Sequence, residues 1–231
     1  MQPQQPPADG APESAEPLRA TASALGAPGP RAAADAAASD QTNTAATSDI
    51  PIPEGAGTDI AVVQFDPYTD KDANLAALRA QCLRAVDSGA KVVVAPEYSM
   101  FAVKRLDQRA VDAAEPLDGP WVSGLRALAT ESGAHVVAGV VESPAADDSV
   151  RIYNTLVAAG PDGEIATIYR KVHLYDAFGF RESEVVVPGP IADPATFTVD
   201  GVVLGLQTCF DLRFPEGFRR VAAAGAHVLV V

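Results

Sequence analysis

From Asp59 onward the chain alternates short β-branched apolar runs with amphipathic stretches. Ile60-Ala61-Val62-Val63-Gln64-Phe65 has the length and side-chain types of a buried strand. Beyond the turn-forming Asp66-Pro67, residues 72–88 place Leu75, Leu78, Cys82 and Val86 on one helical stripe, and Ser88-Gly89 ends it. Lys91-Val92-Val93-Val94-Ala95 reads as a second strand. Strand, helix and strand in this succession predict a βαβ unit, hence a parallel pair with a right-handed crossover.

The pattern continues with a helix over 119–132 and a strand over 135–141. Two strands, 152–159 and 164–169, flank the turn signal Pro161-Asp162-Gly163 and predict a hairpin. A long loop runs from Val172 to Pro190, and a loop of that size inside a compact domain usually serves function. Strands over 196–199 and 202–208 lead to a helix near 215–224. The closing run His227-Val228-Leu229-Val230-Val231 reads as a strand that needs neighbours on both sides, so a C-terminally truncated domain is expected.

The first 58 residues differ in kind. They contain no aromatic residue and no Val, and Leu18, Leu25, Ile50 and Ile52 are their only branched aliphatics. Such a segment buries too little surface to offset the entropy of ordering it, so a disordered tail over 1–58 and one domain over 59–231 are expected. The 231 residues, 48% of them hydrophobic, suffice for one sizeable core. A formal charge of -13 disfavours nucleic acid and anionic membrane surfaces as partners. Two cysteines are too few for a disulfide scaffold, and the N-terminus lacks the basic and apolar regions of a secretory signal. A reducing, cytoplasmic setting is expected.

Three strand ends carry candidate chemistry. Cys209 follows the strand from Val202 and precedes a helix, where ligands bind in open α/β sheets and a helix N-terminus favours a thiolate. By position alone a buried structural cysteine is an equal reading. Glu97 ends the run Val92-Val93-Val94-Ala95-Pro96, where desolvation makes a carboxylate a better base. Lys171 ends the strand before Val172-His173-Leu174 and is able to activate the thiol or stabilise an oxyanion. Together they supply a base, a cation and a nucleophile.

Ala95-Pro96-Glu97, Tyr169-Arg170-Lys171-Val172-His173-Leu174 and Cys209-Phe210-Asp211-Leu212-Arg213-Phe214-Pro215-Glu216, in that order, resemble the three motifs of the nitrilase, or carbon-nitrogen hydrolase, superfamily. Tyr153-Asn154-Thr155, Arg181-Glu182-Ser183 and Pro188-Gly189 extend the match. The resemblance implies an α/β fold, the four-layer αββα sandwich of that superfamily. It implies Glu97 as general base, Lys171 and the Phe210 backbone N–H as oxyanion donors, Cys209 as nucleophile and Glu182 as a second glutamate that positions substrate and base. It also implies a small-molecule amide substrate, no cofactor, no metal and a homodimer or higher homo-oligomer.

Phe-Asp after the nucleophile, rather than Trp-Glu, resembles the branch of omega-amidases and deaminated-glutathione amidases, and so favours a linear amide over a nitrile. A nitrilase or N-carbamoyl amidohydrolase is the alternative within the family. A truncated, catalytically silent interaction protein is the alternative of another class. Asp211, Arg213 and Glu216 are expected to form a charge-assisted network under the nucleophile turn, and His173 to hold the lysine loop. Cys82, Trp121, His135 and His227 read as structural, and no His or Cys pair has metal-ligand spacing.

Overall fold

The computed structural model describes residues 51, 53–143 and 150–231. The tail expected over 1–58 lies outside them except for residue 51 and residues 53–58. In chain order the elements are β1 (Ile60–Val62), α1 (Lys71–Asp87), β2 (Val92–Val94), α2 (Gln108–Ala113), α3 (Pro120–Ser132), β3 (His135–Glu142), β4 (Tyr153–Ala159), β5 (Ile165–Arg170), β6 (Thr196–Val199), β7 (Val202–Leu206), α4 (Pro215–Ala223) and β8 (Val228–Val230). Two 3-10 turns, Glu182–Glu184 and Cys209–Arg213, carry site residues.

The strands form two sheets, β1-β2-β3-β4-β5 and β6-β7-β8. In the first, β1, β2 and β3 are parallel, as the βαβ pattern predicts, and β4 and β5 add as antiparallel neighbours. In the second, β6 and β7 are an antiparallel pair and β8 lies parallel to β7.

The alternation of side chains along each strand explains the layering. Val93, Val136, Ala138 and Val140 face Leu78 and Cys82 of α1 and Trp121, Val122, Leu125 and Leu128 of α3. Val92, Val137, Leu156 and Ala158 face the other way, onto Phe197, Val199, Val202, Leu204, Leu206 and Val230 of the second sheet. Each of these larger side chains contributes roughly 1.5–3 kcal/mol by leaving water. Gly205 turns to the outer face of β7, where a Cβ would lie 2.0 Å from Val221 Cγ1 of α4. Helix, sheet, sheet and helix are therefore the αββα layers.

The residues read as structural are structural. Cys82 is fully buried, Trp121 Nε1 donates to the Lys71 carbonyl at 3.2 Å, and His135 stacks on Phe197 across the sheets. His227 Nδ1 accepts from the Val203 N–H at 2.9 Å. Ala56, ahead of the expected domain start, packs against the intersheet core.

Three local differences have physical causes. The helix Gln108–Ala113, capped by Asp107, is too short to leave a periodic signal. The run 60–65 yields only three strand residues, although the Val63 N–H still reaches the Val94 carbonyl at 2.9 Å. Cys209 does not sit at the start of an α-helix. Pro215 keeps Phe214 out of helical geometry (φ -123°, ψ 89°), so α4 begins only at Pro215 and a separate 3-10 turn holds Cys209.

Candidate active site

The carboxyl ends of β2, β5 and β7 converge. Beyond β2, Ala95 N–H bonds to the Val137 carbonyl, and the turn that follows is fastened to β3 through the Gly139 N–H to Pro96 and the Met100 N–H to Gly139. This aims Glu97 across the sheet edge. At the end of β5 the Lys171 N–H donates to Asn154 at 2.9 Å and the Lys171 carbonyl accepts from Gly189 at 2.8 Å. Arg170 forms a two-pronged ion pair with Glu142 (2.5 and 2.7 Å), which also accepts the Thr155 hydroxyl at 2.6 Å. The backbone that delivers Lys171 is thereby held on both sides.

At the centre, Lys171 Nζ lies 2.9 Å from Glu97 Oε1 and 3.0 and 3.1 Å from the two oxygens of Glu182. Lys171 and Glu182 are buried and Glu97 is 24% exposed. Burial opposes the charge on Lys171, but Glu97 and Glu182 outweigh it and hold the ammonium above its usual range. Glu182 also accepts the Tyr175 N–H at 2.6 Å and the Tyr98 hydroxyl at 3.0 Å. Asn154 Nδ2 reaches Glu97 Oε1 at 2.7 Å.

Cys209 has φ 47°, in the left-handed region that costs a non-glycine residue of order 1–3 kcal/mol. The fold holds it there through Asp211, which is fully buried. Asp211 accepts the Tyr169 hydroxyl (2.8 Å), the Thr208 N–H (3.2 Å), the His173 N–H (2.9 Å) and His173 Nδ1 (2.7 Å). The His173 ring lies flat on Phe214 at 3.7 Å.

The thiol of Cys209 opens to solvent and faces the same site as Glu97. Its partial burial, then the Glu97 charge, push its pKa up, and Lys171 offsets this only in part. The resting group is thus a thiol, not the thiolate expected from a helix terminus, and it needs a base. Glu97 is that neighbour.

A cavity of about 480 Å³ opens over these groups. Glu97, Tyr98, Lys171, Glu182 and Cys209 form its reactive floor. Val103, Leu106, Tyr175 and Phe180 add apolar wall, and Lys104, Arg105, Arg181 and Glu184 stand around it. Among the described residues no cluster of three or more His, Cys, Asp or Glu is placed to hold a metal, and no helix is long and apolar enough to cross a membrane.

The structure therefore brings Glu97, Lys171, Cys209 and Glu182 together, with Phe210 next to the nucleophile and Asp211 and His173 beneath it. The network expected among Asp211, Arg213 and Glu216 is absent. Arg213 and Glu216 are exposed and make no ion pair among the described residues, because the 3-10 turn directs Asp211 inward while its other side faces solvent. Asn154 entered the sequence reading only as part of the extended motif match, without a role, and Tyr98 and Gly139 were not singled out. Asn154 is a buried amide in a strand that runs on into Leu156-Val157-Ala158-Ala159 and Gly139 interrupts a strand interior, two signals of special surroundings.

Comparison with known proteins agrees with this geometry. The carbon-nitrogen hydrolase family model matches residues 59–231. A hydrolase of Mycobacterium tuberculosis is 43% identical over 174 residues, spanning 74% of this chain and 59% of that protein. The human omega-amidase is 29% identical over 178 residues, spanning 74% of this chain and 61% of its own length. The amidase of Nesterenkonia sp. AN1, solved in complex with butyramide as a cysteine-to-alanine mutant, superposes with a TM-score of 0.64 at 28% identity over 77% of this chain and 66% of that one. The chain thus spans about three-fifths of the length of the curated relatives it matches. On sequence and fold together, it belongs to the carbon-nitrogen hydrolase family of the nitrilase superfamily.

Proposed function

We propose that this chain carries the reaction centre of a thiol amidase that converts a small linear amide into a carboxylic acid and ammonia. The observation that carries the reading is the buried Lys171 clasped between Glu97 and Glu182, with Cys209 on the floor of the same cavity. Acyl transfer calls for a nucleophile, a base within reach of its proton and donors aimed at a developing oxyanion.

Glu97 takes the thiol proton as sulfur attacks the amide carbon. The tetrahedral oxygen falls to Lys171 Nζ and the Phe210 N–H. Glu97 returns the proton to the leaving nitrogen, ammonia departs and a thioester remains on Cys209. Water, deprotonated by Glu97, then attacks the thioester. Collapse of the second tetrahedral state releases the acid, and the sulfur recovers its proton. Every step uses side chains of this chain and water.

The cavity volume suits a small acyl group, and butyramide, the ligand of the Nesterenkonia amidase, is of that size. Phe210-Asp211 after the nucleophile supports an amide over a nitrile. The test is ammonia release from small amides by residues 1–231, with acyl-enzyme trapped by mass spectrometry. Cys209→Ala is expected to abolish both; undiminished turnover in that variant overturns the reading. Faster turnover of the matched nitrile points to nitrilase chemistry instead.

A further inference from the structure

The Phe210 N–H, the oxyanion donor that works beside Lys171, has no acceptor among the described residues. Its neighbours are fastened: the Thr208 N–H donates to the Asp211 carboxylate at 3.2 Å and the Asp211 N–H to the Thr208 carbonyl at 2.9 Å. An N–H without a partner is open to an oxyanion, but no hydrogen bond of its own sets its direction. Direction is what makes such a donor effective, because preorganised orientation costs nothing at the moment of reaction. The turn itself gives little hold. Cys209 and Leu212 are exposed, and Cys209 has the strained φ of 47°.

What holds Phe210 is its ring. Tyr175 meets it at 5.0 Å between centroids and 81° between planes, and Phe214 meets it at 5.5 Å and 77°. Both contacts have the T-shaped geometry that aromatic quadrupoles favour. Neither partner is loose. Phe214 lies flat on the His173 ring at 3.7 Å, and His173 is tied to Asp211 through its backbone N–H and Nδ1. The Tyr175 N–H donates to Glu182 Oε2 at 2.6 Å, and its ring leans on Phe180 at 5.9 Å. The rings of Phe180, Tyr175, Phe210, Phe214 and His173 thus form one row, with Phe210 at its middle.

We propose that Tyr175 and Phe214 are positioning residues: by gripping the Phe210 ring they fix the plane of the Cys209–Phe210 peptide and aim its N–H at the oxyanion. This rests on the amidase reading for the reaction that the donor serves; the grip on the ring does not depend on it. Both oxyanion donors then trace back to Glu182, which holds Lys171 Nζ directly and reaches the Phe210 peptide through Tyr175. Removing a ring leaves the N–H in place and misdirects it.

The experiment compares two reactions of the same sulfur in the whole chain, with Cys209→Ala as the blank; Cys82 is fully buried. With p-nitrophenyl acetate, Cys209 Sγ attacks the carbonyl carbon and an oxyanion forms; p-nitrophenolate then leaves, the thiol proton passes to solvent and the acetyl group stays on sulfur. With iodoacetamide the sulfur displaces iodide from a saturated carbon, and no oxyanion forms. Phe210→Leu keeps the N–H and loses the ring, and Tyr175→Leu removes one side of the grip. In both, acylation is expected to slow about tenfold or more while alkylation stays within about twofold of wild type. Ammonia release from amides is expected to fall with acylation, in kcat rather than KM. Tyr175→Phe, which keeps the ring, is expected to recover most of the loss. If Phe210→Leu does not fold, Tyr175→Leu decides. Equal slowing of both reactions would mean that the rings merely support the turn as a whole, and unchanged acylation that the N–H needs no grip; either result overturns the proposal. A wild-type chain that releases no ammonia from amides sinks the amidase reading alone, and the ratio of acylation to alkylation still judges the grip on Phe210.

Discussion

Gly139 lies directly beneath Glu97: a Cβ on Gly139 would come within 1.2 Å of the Glu97 carbonyl oxygen. The same glycine holds the Pro96 to Met100 turn through its own N–H and carbonyl. Glycine is needed here for close approach of two backbones rather than for a special φ. Gly139→Ala is expected to push the turn off β3, moving Glu97 away from Lys171. Overpacking of this kind costs about 1–3 kcal/mol, and a displaced catalytic carboxylate lowers turnover about a hundredfold or more. Urea unfolding and ammonia release, measured on one preparation, check both parts.

That contact also marks the limit of what sequence reveals. The runs at Val92–Val94 and His135–Glu142 announce their strands because β-branched residues suit a sheet buried on both faces. Once strands are placed, the strand ends locate Glu97, Lys171 and Cys209. Which side chains meet across 57 or 74 positions of chain is set by tertiary packing, as in Asn154 with Glu97 or Lys171 with Glu97. No local period encodes it. The 3-10 turn at Cys209 was hidden for a different reason. Its geometry comes from Pro215 and from the four donors that surround Asp211, three of them on residues remote in sequence.

Asp211 and Arg213 are two residues apart and are expected to behave oppositely. An amide at 211 accepts at one atom only and would turn its NH2 toward a donor on Tyr169, Thr208 or His173. Asp211→Asn is therefore expected to cost about 2–4 kcal/mol, the range for breaking a buried charged hydrogen-bond network. Arg213→Ala removes an exposed side chain that has no ion-pair partner among the described residues and should stay within about 0.5 kcal/mol of wild type. Chemical denaturation curves of the two variants decide this, and equal losses would show that the network includes Arg213 after all.

Glu97 has two opposed effects on Cys209. As a base it draws the proton in the reaction, yet its charge helps to keep the resting sulfur protonated. In Glu97→Gln the charge is gone and Lys171 acts on the sulfur unopposed by it. The thiol is expected to titrate at lower pH than in wild type, so more thiolate is present near neutrality, while amide turnover falls by orders of magnitude because no group shuttles the proton. Thiolate absorbance at 240 nm against pH, corrected with Cys209→Ala, gives the first quantity. A thiol that titrates higher in Glu97→Gln would mean that Glu97 does not set its resting state.

Around the cavity, Lys104, Arg105 and Arg181 outnumber Glu184 in a chain whose formal charge is -13. Arg105 is the best held of the three, with Nη2 donating to the Gly179 carbonyl at 3.1 Å and its guanidinium 5.6 Å from the Phe180 ring centre. A guanidinium fixed in this way loses little further freedom when it meets a carboxylate. On the amidase reading, amides that carry a carboxylate at their far end are expected to be held more tightly than neutral amides of equal length. Arg105 is exposed, so the gain is of order 0.2–1 kcal/mol and weakens with salt. Arg105→Ala should raise KM about two- to fivefold for the charged amide at low salt, with kcat and the KM for butyramide little changed. If both amides weaken equally, Arg105 acts through its grip on Gly179 and Phe180, shaping the cavity wall and leaving substrate charge unread.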